Sequence, residues 1–170
     1  MGFFDKLFGS KNAGEGAGRF INQKKTVLTP LQGKVLAQAD IPDETFAQGI
    51  LGPGCGIEPT GDTVYAPFDG TVTQIATTLH AVGVTSNDGI ELLIHVGMDT
   101  VDMNGQGFTA LVKEGQKVSA GTPLLKIDLD AIRAAGHPTA TAIIVTDGAD
   151  DEVKMLAQGD VTLGAPLFKV

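Results

Sequence analysis

The sequence predicts an all-β fold, an antiparallel β-sandwich or barrel-sandwich with one or two short helices. Three observations predict it. From Val27 onward, short β-favouring runs recur, each closed by glycine or proline. Helical periodicity is missing except in one run, Asp128 to Ala135. Two stretches also echo two others: Pro30-Leu-Gln-Gly33-Lys-Val35 resembles Pro67-Phe-Asp-Gly70-Thr-Val72, and Val118–Ile127 resembles Val161–Val170. Each echo is a turn feeding a strand, with glycine supplying the turn conformation and proline fixing the entry. Too few and too uneven for a solenoid, the echoes read as pseudo-symmetric halves of one sandwich.

In chain order, the expected strands are Thr26–Leu28, Gly33–Gln38, a loop-interrupted stretch over Ile50–Pro59, Thr63–Ala66, Gly70–Ile75, Ala81–Thr85 and Glu91–Val96. Gly107–Leu111, Leu124–Ile127, Thr141–Val145 and Pro166–Val170 complete the set. Asp128 is placed to cap a helix that stops at Gly136 and Pro138. A second helical turn is expected over Asp150–Ala157, whose acidic residues would face the positive end of its dipole.

The chain has 170 residues, enough for one domain with a good core and too few to favour two. That domain is expected over 19–170, behind a flexible tail over 1–18. In the tail, Phe3, Phe4, Leu7 and Phe8 fall on one helical face, followed by small, linker-like residues. Two readings fit it: a short amphipathic helix touching a membrane surface, and a frayed tail packed weakly on the domain. A net charge of −8 argues against nucleic acid, which demands a basic face, and suits partners with basic surfaces. The single Cys55 forms no internal disulfide and no signal peptide stands at the front, so the cytoplasm is the expected compartment. No apolar run approaches the roughly 18–20 residues of a membrane span.

Chemistry points to two of the three histidines. Alternation through Glu91-Leu-Leu-Ile-His95-Val96 puts Leu92, Ile94 and Val96 on one face, and Glu91, Leu93 and His95 on the other. His80 stands at the start of the preceding strand, after Thr78. Ser86-Asn-Asp-Gly89 reads as a hairpin turn, which makes the two strands antiparallel neighbours and brings both imidazoles to one end of the sheet. A lone histidine beside an apolar strand is more often a hydrogen-bonded core residue than a reactive one. Two that converge, with Thr78 and Asp99 nearby, balance the odds. Two chemistries then stand open. With a metal, His80, His95 and Asp99 would be ligands. Without one, one imidazole attacks phosphorus while the other donates a hydrogen bond to its oxygens. No phosphate-cradling Gly-x-x-x-x-Gly-Lys loop is present to bring a nucleotide.

The segment Gly89 to Val101, with His-Val-Gly-Met-Asp-Thr-Val at its centre, resembles the active-site signature of the glucose-class enzyme IIA of the bacterial phosphotransferase system. The resemblance runs on through Ala66-Pro-Phe-Asp-Gly-Thr-Val72, Thr78-Leu-His80-Ala, Gly105-Gln-Gly-Phe108 and Glu114-Gly-Gln-Lys-Val118, covering nearly all of the chain from Val27. It implies a β-sandwich phosphocarrier. His95 would take a phosphoryl group on Nε2 from the phosphohistidine of the small carrier HPr, and hand it to a cysteine on the IIB unit of a sugar permease. His80 would support the phosphoryl group, with Thr78 fixing its tautomer. Asp99, and Asp43 less firmly, would sit where HPr presents its arginine. The resemblance further implies no required cofactor, docking of the unphosphorylated form on transporters or metabolic enzymes, and a zinc ion held by His80 and His95 only when shared with such a partner. Ala76, Val82 and Leu93 would form an apolar rim of smaller side chains than the aromatic ones common in enteric members.

Two other classes are weaker. A zinc hydrolase would use the His95-x-x-x-Asp99 spacing but lacks a His-x-His. A biotinyl or lipoyl carrier would explain the turn–strand echoes but lacks its hairpin-tip lysine. Cys55 reads as a small buried or loop residue, and His137 as solvent-exposed. The acidic run of Asp147, Asp150, Asp151 and Glu152 lacks calcium-loop spacing and reads as a solvated face.

Overall fold

The alternating pattern builds fourteen strands in the computed structural model, which describes residues 20–149 and 152–170. They are β1 (Thr26–Leu28), β2 (Gly33–Leu36), β3 (Gly54–Pro59), β4 (Thr63–Tyr65), β5 (Gly70–Ile75), β6 (Ala81–Ser86) and β7 (Glu91–His95). There follow β8 (Phe108–Ala110), β9 (Lys117–Val118), β10 (Pro123–Ile127), β11 (Thr141–Asp147), β12 (Lys154–Met155), β13 (Asp160–Val161) and β14 (Pro166–Lys169). Two short helices join them, α1 (Glu44–Ala47) and α2 (Leu129–Ala134), with single 3-10 turns over Gln38–Asp40 and Thr100–Met103. An eight-stranded sheet in the order β13-β2-β3-β11-β7-β6-β5-β9 packs with two three-stranded sheets, β1-β14-β12 and β4-β10-β8. The pairings between strands are antiparallel.

The large sheet reads the same from both ends, and the sequence echoes say why. Gly33 pairs with Pro59 on β3 and Val161 on β13, as Gly70 pairs with Ser86 on β6 and Val118 on β9. In the smaller sheets, Thr26 opposite Lys169 matches Thr63 opposite Lys126. The halves meet at the pseudo-twofold pair Ile94 and Ile143, where β7 lies against β11. Glycine is required at both echo positions. A Cβ on Gly33 would stand 2.1 Å from the Glu58 carbonyl oxygen, and one on Gly70 2.1 Å from that of Thr85.

The alternation through β7 is as expected. Leu92, Ile94 and Val96 enter the main core with Phe68, Leu124 and Phe168, each such burial contributing about 1.5–3 kcal/mol. Leu93 packs instead on a second cluster of Ile41, Phe46, Met98, Ala142 and Ile144 on the other side of the sheet. Asp128 caps α2 by accepting from the Ala131 amide at 3.0 Å, and Gly136, at φ 86°, follows its end.

Several expectations are corrected. No helical turn forms over 152–157; there β12 pairs with β14, Met155 opposite Phe168. An open strand edge satisfies that backbone better than a single isolated turn, whose nucleation is unfavourable. Ile50–Pro53 is not strand, and β3 begins only at Gly54. Helix α1 is an addition, capped by Asp43, whose carboxylate accepts from the Phe46 amide at 3.2 Å. Val82 is no rim residue: it lies beside Ile94 in the main core. His137 is half-buried rather than exposed. The expected tail over 1–18, with Phe3, Phe4, Leu7 and Phe8, lies outside the described residues, as do Asp150 and Asp151. Among the described residues no helix is long and apolar enough to cross a membrane.

Candidate functional site

The β6–β7 hairpin is closed by the turn chemistry of Ser86 to Gly89. Gly89 takes φ 98°, Ser86 N–H donates to the Ile90 carbonyl at 2.8 Å, and the Asp88 carboxylate accepts from Ser86 Oγ at 2.6 Å and Lys25 N–H at 2.7 Å. With that register fixed, Ala81 stands opposite His95, and the Val96 amide donates to the His80 carbonyl at 2.8 Å. Both imidazoles therefore reach the end of the sheet remote from the turn. Their ring centroids are 4.7 Å apart, with planes at 82°.

His80 projects from a tight connection between β5 and β6, where the Ala76 amide donates to the Ala81 carbonyl at 3.0 Å. Leu79 adopts φ 64°, a left-handed conformation that costs a non-glycine residue about 1–3 kcal/mol. The strained turn aims Thr78 and His80 together: Thr78 Oγ1 lies 2.8 Å from His80 Nδ1. The hydroxyl can donate to that nitrogen or accept from it, and where it donates the His80 proton sits on Nε2.

His95 is set the other way round. Its Nδ1 lies 2.9 Å from the Gly97 carbonyl oxygen, which can only accept. The neutral ring therefore keeps its proton on Nδ1 and leaves a bare lone pair on Nε2. Gly97, at φ 72°, admits no other residue, because a Cβ would fall 2.5 Å from Thr100 Cγ2. Phe46 from α1 packs on the imidazole with centroids 4.9 Å apart. This burial, and then the neighbouring His80, push the His95 pKa down to about 4, against smaller opposing effects of the Gly97 hydrogen bond and Asp43. Burial also lowers the pKa of His80. At neutral pH the pair is two uncharged imidazoles, and His95 presents a lone pair on Nε2.

A pH consequence follows. A ring NMR titration is expected to show His95 unprotonated from pH 8 down to pH 5, with its midpoint near 4. Because the folded pKa lies below the unfolded value of about 6.5, the unfolded chain binds more protons between the two. The site's contribution to stability is complete above that range and is lost as pH falls through it. A midpoint at 6.5 would contradict the packing of Phe46 on the ring.

The other expected residues fare differently. Asp43 is half-buried and lies close enough to influence His95. Asp99 is exposed in a left-handed turn at φ 59°, and the hydrogen bonds of the two rings go to Thr78 and Gly97 instead. Among the described residues no group of three or more His, Cys, Asp or Glu is placed to hold a metal ion. The ligand set His80, His95 and Asp99 suggested by the spacing thus does not assemble, and the imidazoles form a pair only. Burial pushes the Cys55 thiol up to about 12, which makes it inert at neutral pH. The sequence reading missed Phe46. An Asp before Glu44 was the one available sign of the helix that carries it.

Comparison with known proteins places the chain in a family. The family described as phosphoenolpyruvate-dependent sugar phosphotransferase system, EIIA 1, matches residues 25–151. The β-glucoside-specific EIIBCA component of the phosphotransferase system of Bacillus subtilis (strain 168) is 45% identical over 124 residues, 73% of this chain and 20% of the relative. The glucose-specific EIICBA component of Staphylococcus carnosus is 42% identical over 144 residues, 85% of this chain and 21% of the relative. The chain thus spans about a fifth of the length of these curated relatives. Glucose permease IIA from Mycoplasma capricolum superposes with a TM-score of 0.79 at 31% identity, covering 88% of this chain and 97% of that one. Family match and superposition meet on the same β-sandwich, and the chain belongs to the EIIA type 1 family of the phosphoenolpyruvate-dependent sugar phosphotransferase system.

Proposed function

We propose that this chain is a phosphocarrier of sugar uptake in which His95 Nε2 accepts a phosphoryl group from the phosphohistidine of HPr and passes it to a cysteine of a IIB unit. One observation carries the reading: His95 donates Nδ1–H to the Gly97 carbonyl, which leaves a lone pair on Nε2 in a ring whose centroid is 4.7 Å from that of His80. In the first transfer the N–P bond of the donor breaks as the bond to His95 Nε2 forms. In the second, a thiolate attacks phosphorus and the His95 N–P bond breaks. No proton need leave His95 in either step. Such transfer asks for in-line positioning and charge stabilisation rather than further covalent machinery. The His80 Nε2–H supplies the stabilisation, and Thr78 holds the tautomer that makes it available.

Asp43 and Asp99 are acidic groups on the two segments flanking the pair, and with the net charge of −8 they suit the basic surface of HPr. Exposed Ile50 (66%), Leu51 (42%) and Val101 (50%) stand on the same two segments and offer apolar area to HPr, to IIB, and to transporters or metabolic enzymes bound by the unphosphorylated form. No cofactor enters the transfer. A zinc ion at this place would find two ligands of the four it needs, so a partner would have to supply the rest. Partners of this kind belong to the cytoplasm.

The test is intact mass after incubation with phosphoenolpyruvate, enzyme I and HPr. The chain is expected to gain one acid-labile phosphoryl group. No gain, with the upstream proteins active on a known acceptor, would overturn the proposal.

A further inference from the structure

The pseudo-twofold relation pairs two connections of very different build. Residues 76–80, between β5 and β6, form the tight turn that carries Thr78 and His80. Residues 37–53, between β2 and β3, make a long excursion with a 3-10 turn, α1 and the glycines Gly49 (φ 74°) and Gly52 (φ 135°). The excursion brings Phe46 onto His95, where Ile41, Met98, Ala142 and Ile144 also bury it, while the backbone hydrogen bonds within the segment join near neighbours only. A helix of four residues does not persist alone, so its place depends on contacts beyond its own turn.

One side chain closes the neck. Gln38 Nε2 donates to the Phe46 carbonyl at 3.0 Å and to the Gly52 carbonyl at 2.8 Å, while its Oε1 accepts from the Gly54 amide at 3.2 Å. Both N–H groups and the carbonyl of the amide are thus in use. Together with Asp43, which accepts from the Phe46 N–H at 3.2 Å, Gln38 leaves Phe46 held by a side chain on each side of its Cα. We infer that Gln38 is a positioning residue for the transfer at His95: its amide clasps the neck of the 37–53 connection and so keeps the Phe46 ring against the His95 imidazole. The inference rests on the phosphocarrier reading for its kinetic consequence, and on geometry alone for the clasp. The ionisable groups acting on His95 are His80 and Asp43. Gln38 is uncharged, so replacing it moves the ring without altering the charge around it.

The test compares Gln38→Met, of similar length without donor or acceptor, with Thr29→Val. The latter removes a side-chain hydrogen bond to the Ala165 carbonyl, at 2.8 Å, just beyond the β1–β14 pairing. Two readouts are taken on the full chain: nuclear Overhauser contacts between the Phe46 and His95 rings, and the rate of phosphoryl uptake at saturating phospho-HPr. Gln38→Met is expected to lose the ring contacts and about tenfold in rate, since misplacement of about 1 Å can cost up to about 100-fold. Thr29→Val is expected to match the wild type in both. Gln38→Asn, which keeps the amide but falls one methylene short, is expected to lose the contacts as well, and serves if Gln38→Met does not fold. Intact ring contacts in the Gln38 variants, or equal losses in Thr29→Val, would overturn the inference. Failure of the phosphocarrier reading looks different: the wild type itself takes up no phosphoryl group, while the ring contacts still report on the clasp.

Discussion

His95→Gln is expected to take up no phosphoryl group from phospho-HPr, a fall of more than about 10⁴-fold. Glutamine keeps a side chain of comparable length with donor and acceptor capacity, so the pair with Ala142 on β11 and the fold around it survive. What it lacks is a lone pair of imidazole basicity. An amide nitrogen, its electrons delocalised into the carbonyl, does not attack phosphorus. The Phe46 ring and the burial that keep His95 neutral would then surround a group with no nucleophile to protect. Intact mass alongside the wild type decides the matter, with thermal unfolding to show that the variant is folded. An acid-labile gain in His95→Gln would move the nucleophile elsewhere and reduce the Gly97 hydrogen bond to a packing contact.

His80→Gln separates the two halves of the reaction. The proposed nucleophile, His95, is left in place, so the variant is expected to accept a phosphoryl group from phospho-HPr. Onward transfer to IIB is expected to slow by on the order of 100-fold, the usual effect of removing one well-placed donor to a developing anion. The proposed asymmetry rests on the His80 ring standing at 82° to that of His95, its Nδ1 2.8 Å from the Thr78 hydroxyl, whereas a glutamine amide would be free to rotate. The measurement is the decay of the pre-formed phosphorylated chain after IIB is added. Decay at the wild-type rate would show that His80 is a packing neighbour and no more.

The hairpin was legible because its determinants are local. The Ser86–Gly89 turn, the period-2 alternation of β7 and the position of each histidine at a strand end suffice to set them side by side. The echoes were legible for a similar reason. Glycine at positions 33 and 70 answers a backbone contact that leaves no room for a Cβ, so the same residue recurs wherever the same contact is made.

Other features depended on contacts between residues far apart in sequence. The stretch from 152 to 157 carries weak local preferences, and its Lys154–Met155 pair became strand because β14 presented an open edge. Phe46 reaches His95 only through the path of the 37–53 connection, which the Gln38 amide and the Asp43 cap hold together. Asp99, four positions from His95 and suggestive as a ligand, is turned outward by its left-handed backbone. By itself the sequence determined the sandwich, its two halves and the meeting of His80 with His95, since turn chemistry and strand alternation act over a few residues. Only the tertiary structure decided which nitrogen of His95 carries the proton, that burial depresses its pKa, and what covers it, because these depend on carbonyls, rings and carboxylates that folding alone brings near.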